Sequence, residues 1–187
     1  MIIAIIVIVI LVLLVIFAVV GFNKLRTADV AAQEALGGID VQLTRRADLV
    51  PNLVETVKGY AKHESGVFEA VIEARVEVNK AAAGGSVEQK ATAEAALDKS
   101  LVNVMAVAEQ YPDLKASTNF LQLQNQLTDT ENQVSFARQY YNDAVGTLNT
   151  LLVTLPWMLF NGMAKVAKRD FYEAPEGQAA PPQVSFN

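Results

Sequence analysis

The 187-residue chain carries a formal net charge of −5, no cysteine and a single histidine. Disulfide and thiolate chemistry is thereby excluded, and one histidine leaves no histidine-based metal cluster and little basis for a Ser-His-Asp triad. A mildly acidic balance argues against nucleic acid as a partner.

Residues Ile2 to Val20 are nineteen consecutive apolar residues, nearly all Ile, Val and Leu. At a helical rise of about 1.5 Å per residue, that run approaches the thickness of a bilayer core, about 30 Å. Nothing basic precedes it, and it ends Val19-Val20-Gly21-Phe22-Asn23 without a small-residue cleavage pattern. The reading is an uncleaved single-span anchor over residues 1–22, not a signal peptide. Lys24 and Arg26 at its exit place the N-terminus outside and the body in the cytoplasm.

From Asn23 to Lys62 the pattern is one long helix. Leu36, Ile39, Leu43, Val50, Leu53, Val57 and Tyr60 step by three and four, the seam of a helix packed lengthwise on others. Arg46 falls at a seam position and Pro51 sits in the interior. Each costs stability, about 3 kcal/mol for the proline alone, so a sequence that carries both uses them. Ser65 is placed to cap a second helix with Phe68, Val71, Ile72 and Val78 on its buried face and Arg75 interrupting. Gly84-Gly85 supplies a turn and Ser86 the next cap. A third helix runs from Val87 to Gln110 with Leu97, Leu101, Val104 and Ala108 on its seam, and Tyr111-Pro112-Asp113 stops it.

The fourth helix has the clearest pattern. Phe120, Leu123, Leu127, Thr130, Val134, Ala137, Tyr141, Ala144, Leu148, Leu151 and Leu155 alternate by three and four over five heptads, with Thr130 the one polar break. Pro156 ends it. Residues 170–187 form an acidic tail rich in Pro, Gly and Ala, expected to be extended or mobile.

These lengths predict an all-α fold: an N-terminal transmembrane helix, then an antiparallel four-helix bundle over residues 23–169 with a long first and fourth helix and two shorter ones between. The membrane-proximal half would hold only the two long helices. Leu36 and Leu43 on the first, with Leu148, Leu151 and Leu155 on the fourth, would be half covered. A second protomer is the expected cover, making the protein a homo-oligomer; the competing cover is the chain's own segment after Pro156. The same topology returns residue 156 to the membrane surface. Trp157 and Phe160, with Lys24, Arg26, Lys165, Lys168 and Arg169, then make a membrane-interface set facing lipid, compatible with a short helix packed on the bundle's base.

Arg45, Arg46, Asp48 and Glu55 on the first helix, with Glu131, Asn132 and Arg138 on the fourth, read as a salt-bridged polar layer that fixes helix register. A di-metal carboxylate site would need Glu-x-x-His pairs, and the sequence has none. His63 at a helix end interacts with the helix dipole. No glycine-rich phosphate loop occurs. Asn119, Asn125, Asn132, Asn142 and Asn149 read as solvated or helix-bridging. No catalytic residue, cofactor or metal is expected.

Three blocks carry a family resemblance. The first runs Asp40-Val41-Gln42-Leu43, Arg45-Arg46 and Asp48-Leu49-Val50-Pro51-Asn52-Leu53-Val54-Glu55-Thr56-Val57-Lys58-Gly59-Tyr60-Ala61, closing on His63-Glu64. The second is Tyr111-Pro112-Asp113-Leu114-Lys115-Ala116, Asn119-Phe120, Leu123-Gln124, Thr130-Glu131-Asn132, Ala137-Arg138 and Tyr141-Asn142. The third is Tyr172-Glu173-Ala174 with Val184-Ser185-Phe186. Together they resemble the LemA family, over nearly the whole chain and in order. Ala47 departs from the pattern, since the family often has a tyrosine there. The resemblance implies a membrane-anchored helical-bundle protein of the bacterial inner membrane. Family members often accompany a membrane metallopeptidase of the HtpX type. Two functions are expected on that basis: a non-catalytic, self-associating scaffold or adaptor at the membrane, or a regulator or accessory subunit of an HtpX-type metallopeptidase. An enzyme is a distant third.

Overall fold

A computed structural model describes residues 1–173, and among them every regular element is helical. The order is α1 (Ile2–Lys58), α2 (Ser65–Ala82), α3 (Val87–Glu109), a one-turn α4 (Pro112–Lys115), α5 (Thr118–Val153), a 3-10 turn (Trp157–Phe160) and a one-turn α6 (Asn161–Ala164). The described residues divide into two compact units, one of residues 1–37 and 139–171, the other of residues 38–138 with Tyr172 and Glu173. Most of the expected tail, including Ala174, Val184, Ser185 and Phe186, lies outside the described residues.

The second unit is the four-helix bundle, built from α1 beyond residue 37, α2, α3 and the first part of α5. Ile39, Leu43, Val50, Leu53 and Val57 of α1 are buried, as the heptad spacing predicts. Pro51 does not stop the helix. On α2 the buried stripe is Phe68, Val71, Ala74, Val78 and Ala81. Ile72, expected on that face, is 40% exposed, because one residue of helix turns it about 100° away from Val71. Ser65 is not the cap either: Glu64 holds that position without a side-chain hydrogen bond. Gly85 lies where a Cβ would stand 2.8 Å from the Ala81 carbonyl oxygen, so the turn requires glycine there. Ser86 caps α3 in a full capping box: its hydroxyl accepts from the Gln89 amide at 3.2 Å, and the Gln89 side chain accepts from the Ser86 amide at 2.8 Å. The α3 stripe then runs Lys90, Glu94, Leu97, Leu101, Val104 and Ala108. Phe120, Leu127, Thr130 and Val134 of α5 close the core, and the Thr130 hydroxyl donates to the Leu127 carbonyl at 2.9 Å.

In the first unit, α1 is bare over its apolar run and becomes buried only from Gly21, Leu25, Ala32 and Ala35 onward. On α5 the buried positions are Tyr141, Val145, Leu148, Leu151 and Leu152, while Leu155 is 71% exposed. The stripe has rotated relative to the strict seven-residue repeat, as a straight helix does by about 20° per heptad. After α6, Lys165 adopts a left-handed conformation (φ 51°) and the chain turns back. Residues 165–171 then run without helical structure as a strap against α5 and α1. The Asn149 side chain both donates to the Arg169 carbonyl (2.9 Å) and accepts from its amide (3.1 Å), and the Tyr141 hydroxyl donates to the Asp170 carbonyl (2.9 Å). The Arg169 guanidinium pairs with Asp29 at 2.8 and 2.9 Å.

Candidate functional site

The bundle's interior holds a charged layer. Arg46 of α1 is only 7% exposed and forms ion pairs with Asp98 of α3 and Glu131 of α5. Arg138, two turns further along α5, reaches Glu131 at 3.5 Å and Glu94 of α3 at 3.7 Å. Glu94 is fully buried, and the Tyr172 hydroxyl donates to its carboxylate at 2.7 Å. Burial pushes the Glu94 carboxyl above the usual carboxylate range, opposed by the Tyr172 hydrogen bond and by Arg138. Burial and the neighbouring Glu94 push the Tyr172 hydroxyl up as well, which keeps it a donor. Two guanidinium groups thus face three carboxylates, and the raised Glu94 is the one that can take up a proton to balance them.

Two further polar side chains tie helices together. Lys90, almost fully buried on α3, pairs with Asp40 of α1 and donates to the Ala81 carbonyl at 3.1 Å, adding to the Gly85 amide that already bonds this carbonyl at the C-terminal end of α2. Arg75 of α2 donates from Nε to the Ala47 carbonyl at 3.1 Å. That carbonyl is the one a helix would normally bond to the amide of residue 51, and Pro51 has no amide hydrogen. Arg75, an interruption in its own helix's apolar stripe, therefore supplies the donor that the proline lacks.

Of the expected layer residues, Arg46, Glu131 and Arg138 come together and the others do not. Arg45, Glu55 and Asn132 are exposed; Asp48 is exposed too and pairs with Arg75 at 3.6 Å. Neighbouring positions on a helix diverge by about 100°, so Arg45 and Asn132 cannot share the inward face of Arg46 and Glu131. The α3 members, Glu94 and Asp98, and Tyr172 are layer residues that sequence reasoning missed. A signal for two buried charges is present: Lys90 and Glu94 extend the three-four stripe of Leu97, Leu101, Val104 and Ala108 toward the N-terminus. Among the described residues no group of three or more His, Asp or Glu side chains is arranged to hold a metal ion.

The expected membrane-interface residues divide as well. The Lys24 ammonium sits 5.2 Å over the Trp157 ring, Arg26 pairs with Asp29 at 3.5 Å, and Lys165 and Lys168 are exposed. Phe160 does not face lipid. Its ring is buried edge-on against Phe17, centroids 5.2 Å apart, and fills the space left by Gly21, where any Cβ would overlap it. Arg169 is likewise occupied by Asp29. The leucines expected to drive self-association are mostly covered within the chain: Leu43, Leu148 and Leu151 are buried and Leu36 is half-buried, leaving only Leu155 of the five open. In the first unit the strap lies on α5, where Leu148 and Leu151 are buried within the single chain.

Residues 35–186 match the LemA family. The chain belongs to it. The matched stretch takes in Arg46, Arg75, Glu94, Glu131, Arg138 and Tyr172, and begins after the apolar run. Similar proteins include the magnetosome protein MamQ of Magnetospirillum gryphiswaldense, 25% identical over 182 residues, and the magnetosome protein MamQ 2 of Paramagnetospirillum magneticum, 24% identical over 180 residues. Each alignment covers 83% of this chain and 66% of the relative, so the chain spans just under two thirds of those proteins' length. With an N-terminal helix long and apolar enough to cross a bilayer, this is a membrane-associated LemA protein.

Proposed function

We propose that this LemA protein is a non-catalytic scaffold that holds partners at the bacterial cell membrane on a charge-locked helical bundle. In this reading α1 crosses the inner membrane once, N-terminus outside, with Lys24 and Arg26 marking the cytoplasmic exit. The observation that carries it is the continuity of α1. The apolar span and the residues that carry the bundle seam and its charged layer, from Ile39 through Arg46 to Val57, belong to one unbroken helix, Ile2–Lys58. The last turn of the span is itself gripped by Phe160 through Phe17 and Gly21, an arrangement suited to a permanent anchor and superfluous in a removable leader. The buried charges are paired with one another, which fixes helix register.

The test is affinity purification of the full-length protein in mild detergent after crosslinking in cells. A scaffold co-purifies with a reproducible set of membrane-proximal proteins, and that set is lost when the apolar span is replaced by an unrelated soluble leader. Recovery of the chain with no other protein would overturn the reading. Recovery with an HtpX-type metallopeptidase alone would turn it toward an accessory subunit. Protease treatment of intact spheroplasts checks orientation: digestion of the bundle from outside reverses the assignment.

A further inference from the structure

We propose that residues 153–164 form a second membrane-embedded element, a monotopic foot that sinks into the leaflet from which α1 emerges. After α5 the chain bends by 85° into the 3-10 turn and α6. These two short elements have one face turned into the protein, with Phe160 and Ala164 buried. The opposite face is apolar and open: Leu155, Met158, Leu159 and Met163, with Leu159 66% exposed, continue from Val153 at the end of α5.

The level of this face relative to the bilayer is fixed by what its inner side touches. Phe160 contacts Phe17 and Gly21. Phe17 lies three residues inside the end of the apolar run at Val20, about 4.5 Å along the helix axis. A segment seated on Phe17 therefore lies at the depth of the last turn of the span, and its open face is continuous with α1's lipid-facing surface. The polar markers agree with that depth. Lys24, one turn beyond Gly21, lies over Trp157, which puts the ring at the headgroup level where tryptophan is enriched. Between Asp143 and Asp170 there is no acidic residue, while Lys165 and Lys168 are cationic and exposed. An apolar face bounded by cations and free of carboxylates matches an anionic lipid leaflet and not the mixed rim of a protein interface. The occupant of this face is lipid acyl chain.

The inference rests on α1 spanning the bilayer, and the experiment reads the two separately. Trp157 is the chain's only tryptophan, so Trp157→Phe gives a silent background for the full-length protein. Into it are introduced Leu159→Trp, Met163→Trp or, in the middle of the span, Ile10→Trp. Each variant is reconstituted in vesicles of phosphatidylcholine and phosphatidylglycerol, with bromine carried either near the glycerol end or near the middle of the acyl chains. Helicity and melting by circular dichroism verify the fold, and the two outer-face positions back each other should one disturb it. The expected result is blue-shifted emission at positions 159 and 163, most of it lost to the shallow bromines and little to iodide in the water. Emission that iodide quenches and bromolipid does not would place the face in water. Protection from both quenchers would place a second protein surface over it. Either outcome overturns the foot, whereas deep quenching at position 10 still reports the anchor; loss of that signal would refute the span instead.

Discussion

Replacing Arg75 by alanine removes the guanidinium that donates to the Ala47 carbonyl at 3.1 Å. Residue 47 is fully buried, so water does not take over that hydrogen bond. A buried acceptor left unpaired costs about 1–3 kcal/mol. The accompanying Arg75–Asp48 pair, 3.6 Å apart and largely in solvent, adds no more than a few tenths of a kcal/mol. Because the Arg75 side chain is itself about a third exposed, the lower half of the range applies, about 1–2 kcal/mol. For a fragment of this size that lowers Tm by roughly 2–8 °C. Urea and thermal denaturation of a soluble fragment beginning at Asn23, followed by circular dichroism, measures it. The deciding comparison is the same change in a Pro51→Ala background. There the amide hydrogen returns, the helix bonds Ala47 to residue 51 itself, and Arg75→Ala loses at least half its effect. Pro51→Ala alone raises stability by up to about 3 kcal/mol. If Arg75→Ala costs the same in both backgrounds, within about 0.5 kcal/mol, the two residues are independent and the argument for their coupling is wrong.

Arg46→Ala leaves Asp98 without its cation and Glu131 with Arg138 alone, at 3.5 Å; with Glu131 partly hydrated, the loss should sit at the low end of the usual cost of breaking a buried pair, about 3 kcal/mol, and a change under about 1 kcal/mol in urea unfolding would mean the carboxylates relax into water. Burial raises the Glu94 pKa, so the folded state holds that proton more tightly than the unfolded one; its contribution is fully present below the unfolded carboxylate value and is lost as pH rises through the folded value. Glu94→Gln removes the titration, so the variant should be the more stable at neutral pH and wild type should draw level in acid; a gap that widens toward acid contradicts the sign. Gly21→Ala, a favourable exchange by helix propensity alone, should release the turn around Phe160 to limited proteolysis, and in a Phe160→Ala background the same exchange should make no difference to the cleavage rate.

Helix positions and most of the core are legible in the sequence because both depend on local periodicity. Ile39, Leu43, Val50, Leu53 and Val57 on α1, and Leu97, Leu101, Val104 and Ala108 on α3, are buried where spacing puts them. The polar layer is legible in part. Arg46 stands out because a charge occupies a seam position between apolar neighbours on both sides. Glu94 and Lys90 occupy seam positions of equal regularity, but they lie at the start of α3, where a single half-buried apolar residue, Val87, precedes them on the stripe. The Arg75–Pro51 pair shows a different limit. Each residue is visible as a defect in its own helix, yet that one defect repairs the other depends on how α2 packs on α1, which no single-helix pattern encodes.

The strap marks where periodicity gives no information at all. An extended segment lying on helices has no ladder partner, and its backbone amides and carbonyls must still be satisfied if they are to leave water. Here side chains do it in succession. Asn149 offers both an acceptor and a donor to Arg169, Tyr141 takes the next carbonyl at Asp170, and Asp29 holds the Arg169 side chain. One amide side chain meeting both backbone groups of one residue substitutes for a strand pair, and it does so across twenty residues of sequence without a repeating signal. That is why Leu148 and Leu151, half-covered when helices alone are counted, are buried in a single chain. The extended open apolar surface of this unit is then the bare span and the face that begins at Val153 and Leu155. The fold thus covers Leu148 and Leu151, and it leaves uncovered the face seated on Phe17.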